Sequence, residues 1–203
     1  MIGKIRKGRS FGGCIRYVTQ KDDAEIIASE GVLLGTAEET ARSFRWQCLL
    51  SPDVAKPVGH IALSFKPEDA PRLTDAFMAR LAEEYLEPMG IRNTQFIVVR
   101  HHGTDNPHCH IVFNRVDFDG KVISDSNDFR RNERVTKMLK EKYSLTYSEG
   151  KQAVKTEKLH ASERVKYEIY RAVKEALRSA DTWKEFQNRL LKMGVEMEFK
   201  YKG

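Results

Sequence analysis

Apolar and polar residues alternate along His60–Phe65, with Ile61, Leu63 and Phe65 on one side and His60, Ala62 and Ser64 on the other. A period of two is typical of a strand with one buried face. The apolar runs within 94–102 and 108–117 predict two more strands. The turn-forming residues Gly103–Pro107 lie between them and favour a hairpin. Shorter candidate strands or apolar segments are Met1–Arg6, Val32–Leu34, Lys121–Ile123 and Val195–Phe199.

Helical periodicity appears between these segments. Thr36 is a predicted N-cap, and Glu39 stands where a capping box requires an acidic partner. The helices are predicted at 14–20, from Thr36 to near Ser51, at 70–86, at 128–142, at 161–179 and at 182–193. The change of character near Thr156 predicts a main domain over 1–150 and a helical extension over 151–203. The ending Tyr201-Lys202-Gly203 suggests that the native chain continues.

The chain is basic, with 203 residues, a formal net charge of +6 and a pI near 9.2. Its first 21 residues hold no acid but several cations, namely Lys4, Arg6, Lys7, Arg9, Arg16 and Lys21. A solvated tail would explain this run. Because Phe11, Ile15 and Val18 are interleaved at near-helical spacing, we favour an ordered basic face that meets phosphates.

The cysteines and the apolar runs bear on the compartment. Cys14, Cys48 and Cys109 are an odd number without framework spacing, so we expect reduced thiols and a cytoplasmic protein. No apolar run approaches the roughly 18 residues of a membrane span. The N-terminus lacks the apolar core of a signal peptide. We therefore expect neither export nor membrane insertion.

Three histidines predict a metal site. His108 and His110 flank one residue within a strand, so their side chains point to the same face. The hairpin brings His101 beside them, whereas His102 falls on the opposite face. Three neutral imidazoles with an open coordination position can hold a divalent ion and a substrate oxygen.

Other candidate residues surround this hairpin. Asp105 is a turn residue that can accept a proton from a ligand imidazole. Asn114 shares the face of His108. It either donates a hydrogen bond to a substrate phosphate or is a solvated residue at the end of the strand. Composition alone does not identify the nucleophile, because the chain has seven tyrosines. Tyr17, in the basic segment, has the setting that most favours a tyrosinate near phosphates.

Several segments together resemble the conjugative relaxases, the mobilization-nuclease family of the histidine–hydrophobic–histidine superfamily. His101–Arg115 looks like the third motif of that family, with Cys109 at the usually aliphatic centre and Gly103 where an aspartate is common. Phe11–Val18 resembles the first motif, whose tyrosine is the nucleophile. Val58–Phe65 with its following helix, and Ser124–Asn127 before a basic helix, also fit. The likeness spans about 1–145.

The resemblance implies an α+β fold, with an antiparallel sheet of about five strands, helices mainly on one face and C-terminal helices. It implies nicking of one DNA strand at an origin of transfer, with Tyr17 forming a 5′-phosphotyrosine. One divalent ion (Mg, Mn or Zn) would be held by His101, His108 and His110. The expected partners are single-stranded origin DNA and accessory relaxosome and coupling proteins. Arg9, Arg16, Arg130 and Arg131 are expected to contact the DNA backbone. The helices at 161–193 are expected to help bind the DNA.

Two alternatives stay open at this point. One is a module that binds single-stranded DNA around a structural zinc, with Cys109 turned inward as the fourth ligand. The other is a rolling-circle replication initiator of the same superfamily. That class generally carries its tyrosine after the histidine motif, at Tyr143 or Tyr147.

Overall fold

Five antiparallel strands form one sheet in the spatial order β1-β3-β5-β4-β2. The computed structural model of the protein describes residues 1–147 and 161–198. The strands are β1 (Ile2–Gly8), β2 (Ala24–Glu30), β3 (Val58–Ser64), β4 (Phe96–His101) and β5 (His108–Asn114). Strand β5 is central and forms the expected hairpin with β4. The α+β class and the five-stranded antiparallel sheet are confirmed.

Helices cover both faces of the sheet, rather than mainly one. On the first face, α1 (Phe11–Thr19) and α2 (Ala37–Cys48) pack Ile15 and Phe44 against Val99 and Val112. On the second face lie α3 (Asp75–Leu86) and α4 (Asp128–Tyr143), which join a separate core with Val98 and Ile111. The physical reason is that β4 and β5 are apolar at consecutive positions, so both of their sides require burial.

Strand β2 was missed because its pattern is irregular. Its pairing with β4 shifts register between Ile26 and Ala28, as a β-bulge does. Ile26 therefore packs in the first core and Ile27 in the second, and no alternation is visible in the sequence. The predicted apolar segment Val32–Leu34 has no regular structure, and Leu33 and Leu34 are exposed.

Helix boundaries follow local chemistry. Thr36 and Glu39 form the predicted capping box at the start of α2, which ends at Cys48, earlier than expected. The predicted helix at 70–86 begins instead as a 3-10 helix, Pro67–Arg72, and becomes α3 after the N-cap Thr74. Pro71 provides the reason, because proline supplies no backbone donor within a helix. Lys121–Ile123 contributes only an isolated bridge, Val116 to Val122.

The chain divides into two compact units, Met1–Ser148 and Glu149–Gly203. The second contains α5 (Ala161–Ser179) and α6 (Trp183–Lys192), which pack around Ala176, Phe186 and Leu190. Residues 195–198 have no regular structure, and the rest of the strand-like segment Val195–Phe199 lies outside the described residues. Among the described helices, none has the length and hydropathy needed to cross a bilayer.

Candidate metal centre and active site

Three histidines converge on the sheet face that is covered by α1 and α2, called here the histidine face. His101 pairs directly with His108 across the β4–β5 hairpin, and His110 pairs with Val99. His101, His108 and His110 each offer a ring nitrogen, and these three atoms lie within 4.8 Å of one another. His101 and His110 are only 1% and 6% exposed, so the cluster lies at the base of a recess.

Backbone carbonyls fix the tautomers of two rings. His101 Nε2 lies 2.9 Å from the Val18 carbonyl, and His108 Nδ1 lies 3.1 Å from the Asn106 carbonyl. Because a carbonyl only accepts, both nitrogens must carry the hydrogen. The remaining atoms, His101 Nδ1 and His108 Nε2, face each other at 3.2 Å. In the neutral rings both carry lone pairs, an arrangement that a shared cation stabilises. The donor set therefore fits a divalent ion.

A fourth histidine joins the cluster from β3. His60 Nε2 lies 3.0 Å from His110 Nδ1, which leaves His110 Nε2 as the nitrogen available to an ion. The alternation along β3 predicts that His60 faces away from Ile61, but the β3–β5 register that brings it to His110 is not evident from the sequence. His60 is thus a member of the site that sequence reasoning missed.

Burial favours the neutral form of His60, His108 and His110 by lowering the pKa of each. Burial, reinforced by the neighbouring imidazoles His60, His101 and His108 and by Lys21, lowers the pKa of His110 from 6.5 to about 3. Burial also lowers the pKa of His108 and that of His60, the latter with help from Arg6. Neutral imidazole is the form that binds metal ions, so ligand protonation competes little with metal binding near neutral pH.

Tyr17 lies on α1 beside the histidine cluster. Its ring centroid lies 5.8 Å from that of His110 and 6.0 Å from that of His60, with the rings edge-on. The side chain is 58% exposed, so its hydroxyl is open to a substrate. Helix α1 is tied to the cluster at the next residue, because the Val18 carbonyl accepts the hydrogen bond from His101.

The other tyrosines named as candidate nucleophiles lie elsewhere. The Tyr143 hydroxyl donates to Glu84 at 2.6 Å, and its ring packs against Phe77 of α3 on the opposite side of the sheet. The Tyr147 ring lies against the Lys140 ammonium of α4. Neither residue lines the recess beside the three histidines. Their placement therefore does not support the replication-initiator alternative, in which one of them would be the nucleophile.

A basic cavity of about 520 Å³ opens beside Tyr17, His60 and His110. Its charged lining residues are Lys4, Arg6, Lys7 and Arg9, and no acidic residue lines it within the described part of the chain. Strand parity explains the arrangement: Lys4 and Arg6 pair with Ala62 and His60 and project from the histidine face. The recess thus brings together the exposed Tyr17 side chain, His60 and His110, and the cations Lys4, Arg6 and Arg9. Lys7 is instead paired with Asp125 and Asp128, at 3.1 and 2.6 Å.

The four arginines that were predicted to contact DNA lie in different parts of the fold. Arg9 lines the cavity, whereas Arg16 points to α2, with its guanidinium 3.7 Å from the Glu38 carboxylate. Arg130 and Arg131 lie on α4, which packs on the face opposite the histidines. Arg131 is also engaged locally, since it donates to the Ser124 carbonyl at 2.8 Å. The structure therefore brings only Arg9 of these four to the recess.

Two predicted polar contacts are not made at the site. Among the hydrogen bonds within residues 1–147, none joins Asp105 to an imidazole; the turn holds His108 through Thr104 and the Asn106 carbonyl instead. Asn114 is fully buried and structural. It donates to the Phe44 carbonyl at 3.0 Å and accepts from the Val116 amide at 3.0 Å. The prediction that Asn114 contacts a phosphate needs correction, because the side chain is fully buried and its amide nitrogen donates to Phe44 and Gln95 in the interior.

Comparison with protein families agrees with this geometry. The family model for the MobA/VirD2-like relaxase nuclease domain matches residues 17–145, more than half of the chain. This chain belongs to the MobA/VirD2-like relaxase family. No curated protein and no solved structure matches the chain. The match begins at Tyr17, the residue beside the cluster, and includes the whole β4–β5 hairpin of this relaxase.

Membership of the relaxase family confirms the resemblance seen in the sequence. It makes this protein a member of a family of metal-dependent, DNA-nicking enzymes, and the His101–His108–His110 triad fits a metal site. Cys109 points away from that triad into the second core, and burial raises its pKa to about 12. The fourth ligand named in the structural-zinc alternative is therefore on the wrong face.

Proposed function

We propose that this relaxase nicks one DNA strand at an origin of transfer by transesterification, with Tyr17 as the nucleophile. The single observation that carries the proposal is the placement of the exposed Tyr17 ring beside the buried histidine cluster, 5.8 Å from His110 between centroids. A nucleophile, a metal-binding set and a basic recess are the parts that phosphodiester cleavage requires.

The proposed reaction exchanges one ester for another. The Tyr17 oxygen attacks the scissile phosphorus, and the bond from phosphorus to the 3′ oxygen breaks. The tyrosine loses its proton and the departing 3′ oxygen gains one, which leaves a 3′-hydroxyl and a 5′-phosphotyrosine. Because the ester bond is conserved, the strand can later be joined again without ATP.

The histidines would contribute to the reaction by holding a cation near the phosphate. His101, His108 and His110 would hold one divalent ion (Mg, Mn or Zn). When bound, that ion neutralises charge on the non-bridging oxygens of the phosphate and orients it. The carbonyls of Val18 and Asn106 keep two of these rings in the ligand tautomer. The ligand geometry is thus prepared before the substrate arrives, which lowers the cost of reaching the transition state.

The basic lining supports the choice of a single-stranded substrate. Lys4 and Arg6 lie two residues apart on an extended strand, close to the spacing of successive phosphates in a stretched chain. Arg9 extends the same surface toward α1. We propose that accessory relaxosome proteins expose the strand, that a coupling protein carries the product onward and that the reaction takes place in the cytoplasm.

A covalent-adduct assay tests the proposal. The full chain is mixed with Mn²⁺ and single-stranded oligonucleotides that tile the DNA flanking its gene, and products are resolved on a denaturing gel. We expect a protein–DNA adduct with one of them, none with Tyr17→Phe, and wild-type adduct with the control Tyr147→Phe. Tyr17→Phe should bind the oligonucleotide within about twofold of wild type, because only the nucleophilic oxygen is lost.

Each failure has a distinct meaning. An adduct that persists in Tyr17→Phe would show that the nucleophile is another residue. Tight binding by the wild-type protein without an adduct, under any divalent ion, would favour the alternative of a module that binds single-stranded DNA.

A further inference from the structure

His60 occupies a position that the three-histidine cluster does not explain. It lies on β3, outside the set of three ligand atoms, yet its Nε2 is 3.0 Å from His110 Nδ1. Its ring lies 6.0 Å from the Tyr17 ring, edge-on, and it lines the same basic cavity. It is therefore in contact with a ligand on one side and with the substrate recess on the other.

The hydrogen bond between His60 and His110 determines where the hydrogens lie once the cluster holds an ion. His110 then uses Nε2 as the ligand atom, so its Nδ1 carries the hydrogen. That hydrogen faces His60 Nε2, which must act as the acceptor. In a neutral imidazole the other nitrogen is then the donor. The His60 hydrogen is thereby assigned to Nδ1.

The His60 Nδ1 group has room for a substrate atom. In residues 1–147 no hydrogen bond to His60 Nδ1 is present, and Nδ1 is not among the buried polar atoms that lack a partner. It is therefore open to the cavity. Arg6, the cross-strand neighbour of His60, adds positive charge at the same place. A donor beside a cation and a tyrosine is complementary to a phosphate oxygen.

We propose that His60 is a catalytic residue. Its Nδ1–H donates a hydrogen bond to a non-bridging oxygen of the scissile phosphate, while its Nε2 accepts the hydrogen bond that orients His110. No proton is transferred in this contact, so the bonds made and broken by Tyr17 are unchanged. The inference rests on the proposed function and deepens it, because it names a residue beside the metal ligand His110 as a further group that binds the phosphate.

Two substitutions separate the two hydrogen bonds proposed for His60, the one donated to the phosphate and the one accepted from His110. In His60→Gln, the amide oxygen reaches the position of Nε2 and still accepts from His110, but the donor toward the cavity is lost. In His60→Asn, the amide nitrogen occupies the position of Nδ1 and still donates to the phosphate, but the shorter side chain loses His110. Both variants are made in the full chain, and their thermal unfolding is compared with wild type.

Metal binding and nicking are measured separately. By calorimetric titration with Mn²⁺, His60→Gln should bind within about threefold of wild type, and His60→Asn about 10–100-fold more weakly. At saturating Mn²⁺ and oligonucleotide, His60→Gln should nick about 10²-fold more slowly than wild type, as for loss of one oxyanion donor. His60→Asn should nick at least about tenfold faster than His60→Gln. Nicking by His60→Gln at the wild-type rate would overturn the proposal.

A measurement on the wild-type protein does not depend on activity or on the folding of variants. Nitrogen-15 NMR of the Zn²⁺-loaded chain reports the tautomer of each imidazole, with His60→Gln used to assign the His60 signals. We expect the hydrogen of His60 on Nδ1, and a hydrogen on Nε2 would refute the assignment. If the wild-type protein forms no DNA adduct, the proposed function fails. The tautomer of His60 still tests the hydrogen bond between His110 and His60 independently of activity.

Discussion

Two ring nitrogens in this site, His101 Nε2 and His110 Nδ1, have hydrogen-bond partners that are remote in sequence. Strand parity was enough to predict that His101, His108 and His110 share a face. It could not predict the Val18 carbonyl, because that contact depends on how α1 docks on the sheet. Nor could it predict His60, whose contact with His110 depends on the β3–β5 register. The ligand types were therefore readable from the sequence, and the groups that orient them were not.

The lowered pKa of His110 predicts how the metal-free protein responds to acid. The unfolded chain takes up a proton on this imidazole near pH 6.5, whereas the folded chain does so only near pH 3. Between these values the unfolded state binds more protons, so the free energy of unfolding falls as the pH drops from about 6.5 to about 3. Urea unfolding in EDTA at pH 7 and pH 5 measures this loss.

His110→Gln provides the control for that prediction. The variant has no imidazole at this position, so its stability should fall less between pH 7 and pH 5 than that of the wild type. Part of the loss should remain, because the pKa of His108 and that of His60 are lowered as well. An equal loss in the two proteins would show that His110 titrates normally in the folded chain.

Asn114 should matter for stability rather than for DNA binding. Its side chain bonds the Phe44 carbonyl, Gln95 and the Val116 amide in the interior. Asn114→Ala leaves buried polar groups unpaired, so we expect a loss of about 1–3 kcal/mol in the free energy of unfolding. The affinity for single-stranded DNA, measured below the unfolding transition, should stay within about twofold. A selective loss of affinity at unchanged stability would restore the phosphate-contact hypothesis.

Among the elements, those with a regular pattern or a continuous apolar run could be predicted, and the irregular ones could not. Strand β3, which alternates, and strands β4 and β5, which contain apolar runs, lie close to their predicted ranges, and so does α4. Strand β2 escaped because a bulge mixes its two faces. The arginines of α4 were assigned to DNA because the helix is basic, and only the packing of Val135 and Leu139 shows that it lies on the other face.

Cations on the two faces of the sheet should affect the salt dependence of DNA affinity differently. Lys4 and Arg6 project from the histidine face, so each should neutralise one phosphate of a bound strand. Lys4→Gln and Arg6→Gln should each reduce the slope of log affinity against log salt by about 0.7 for single-stranded DNA. The control Arg130→Gln, on α4, should leave the slope unchanged. Equal effects of all three substitutions would contradict the assignment of the binding face.

At the scale of the whole molecule, the relaxase consists of two compact units, and the family match ends at residue 145, before α5. The second unit has its own small core around Phe186 and Leu190, and exposed cations on α5 include Lys166 and Arg171. We propose that it helps to grip DNA and is separable from cleavage. The match supports this division only for the first unit, since it does not extend into the helices.

Deletion of the residues after 155 tests that division. The shortened chain should remain folded and still cleave at high protein concentration, because the sheet, Tyr17 and the histidines all belong to the first unit. Its affinity for the oligonucleotide should fall and its salt dependence should flatten, since phosphate contacts are removed. An insoluble or molten product, seen by circular dichroism and gel filtration, would instead make the helices part of the core.

The role of Tyr17 as the nucleophile is tested most directly by identifying the residue that becomes linked to DNA. The adduct formed with Mn²⁺ is digested with trypsin and nuclease, and the peptides are analysed by mass spectrometry. We expect the nucleotide to remain on the peptide Tyr17–Lys21, joined to the tyrosine oxygen through a 5′-phosphate. A nucleotide on a peptide that contains Tyr143 or Tyr147, or a cleaved strand with no peptide attached, would contradict this role of Tyr17.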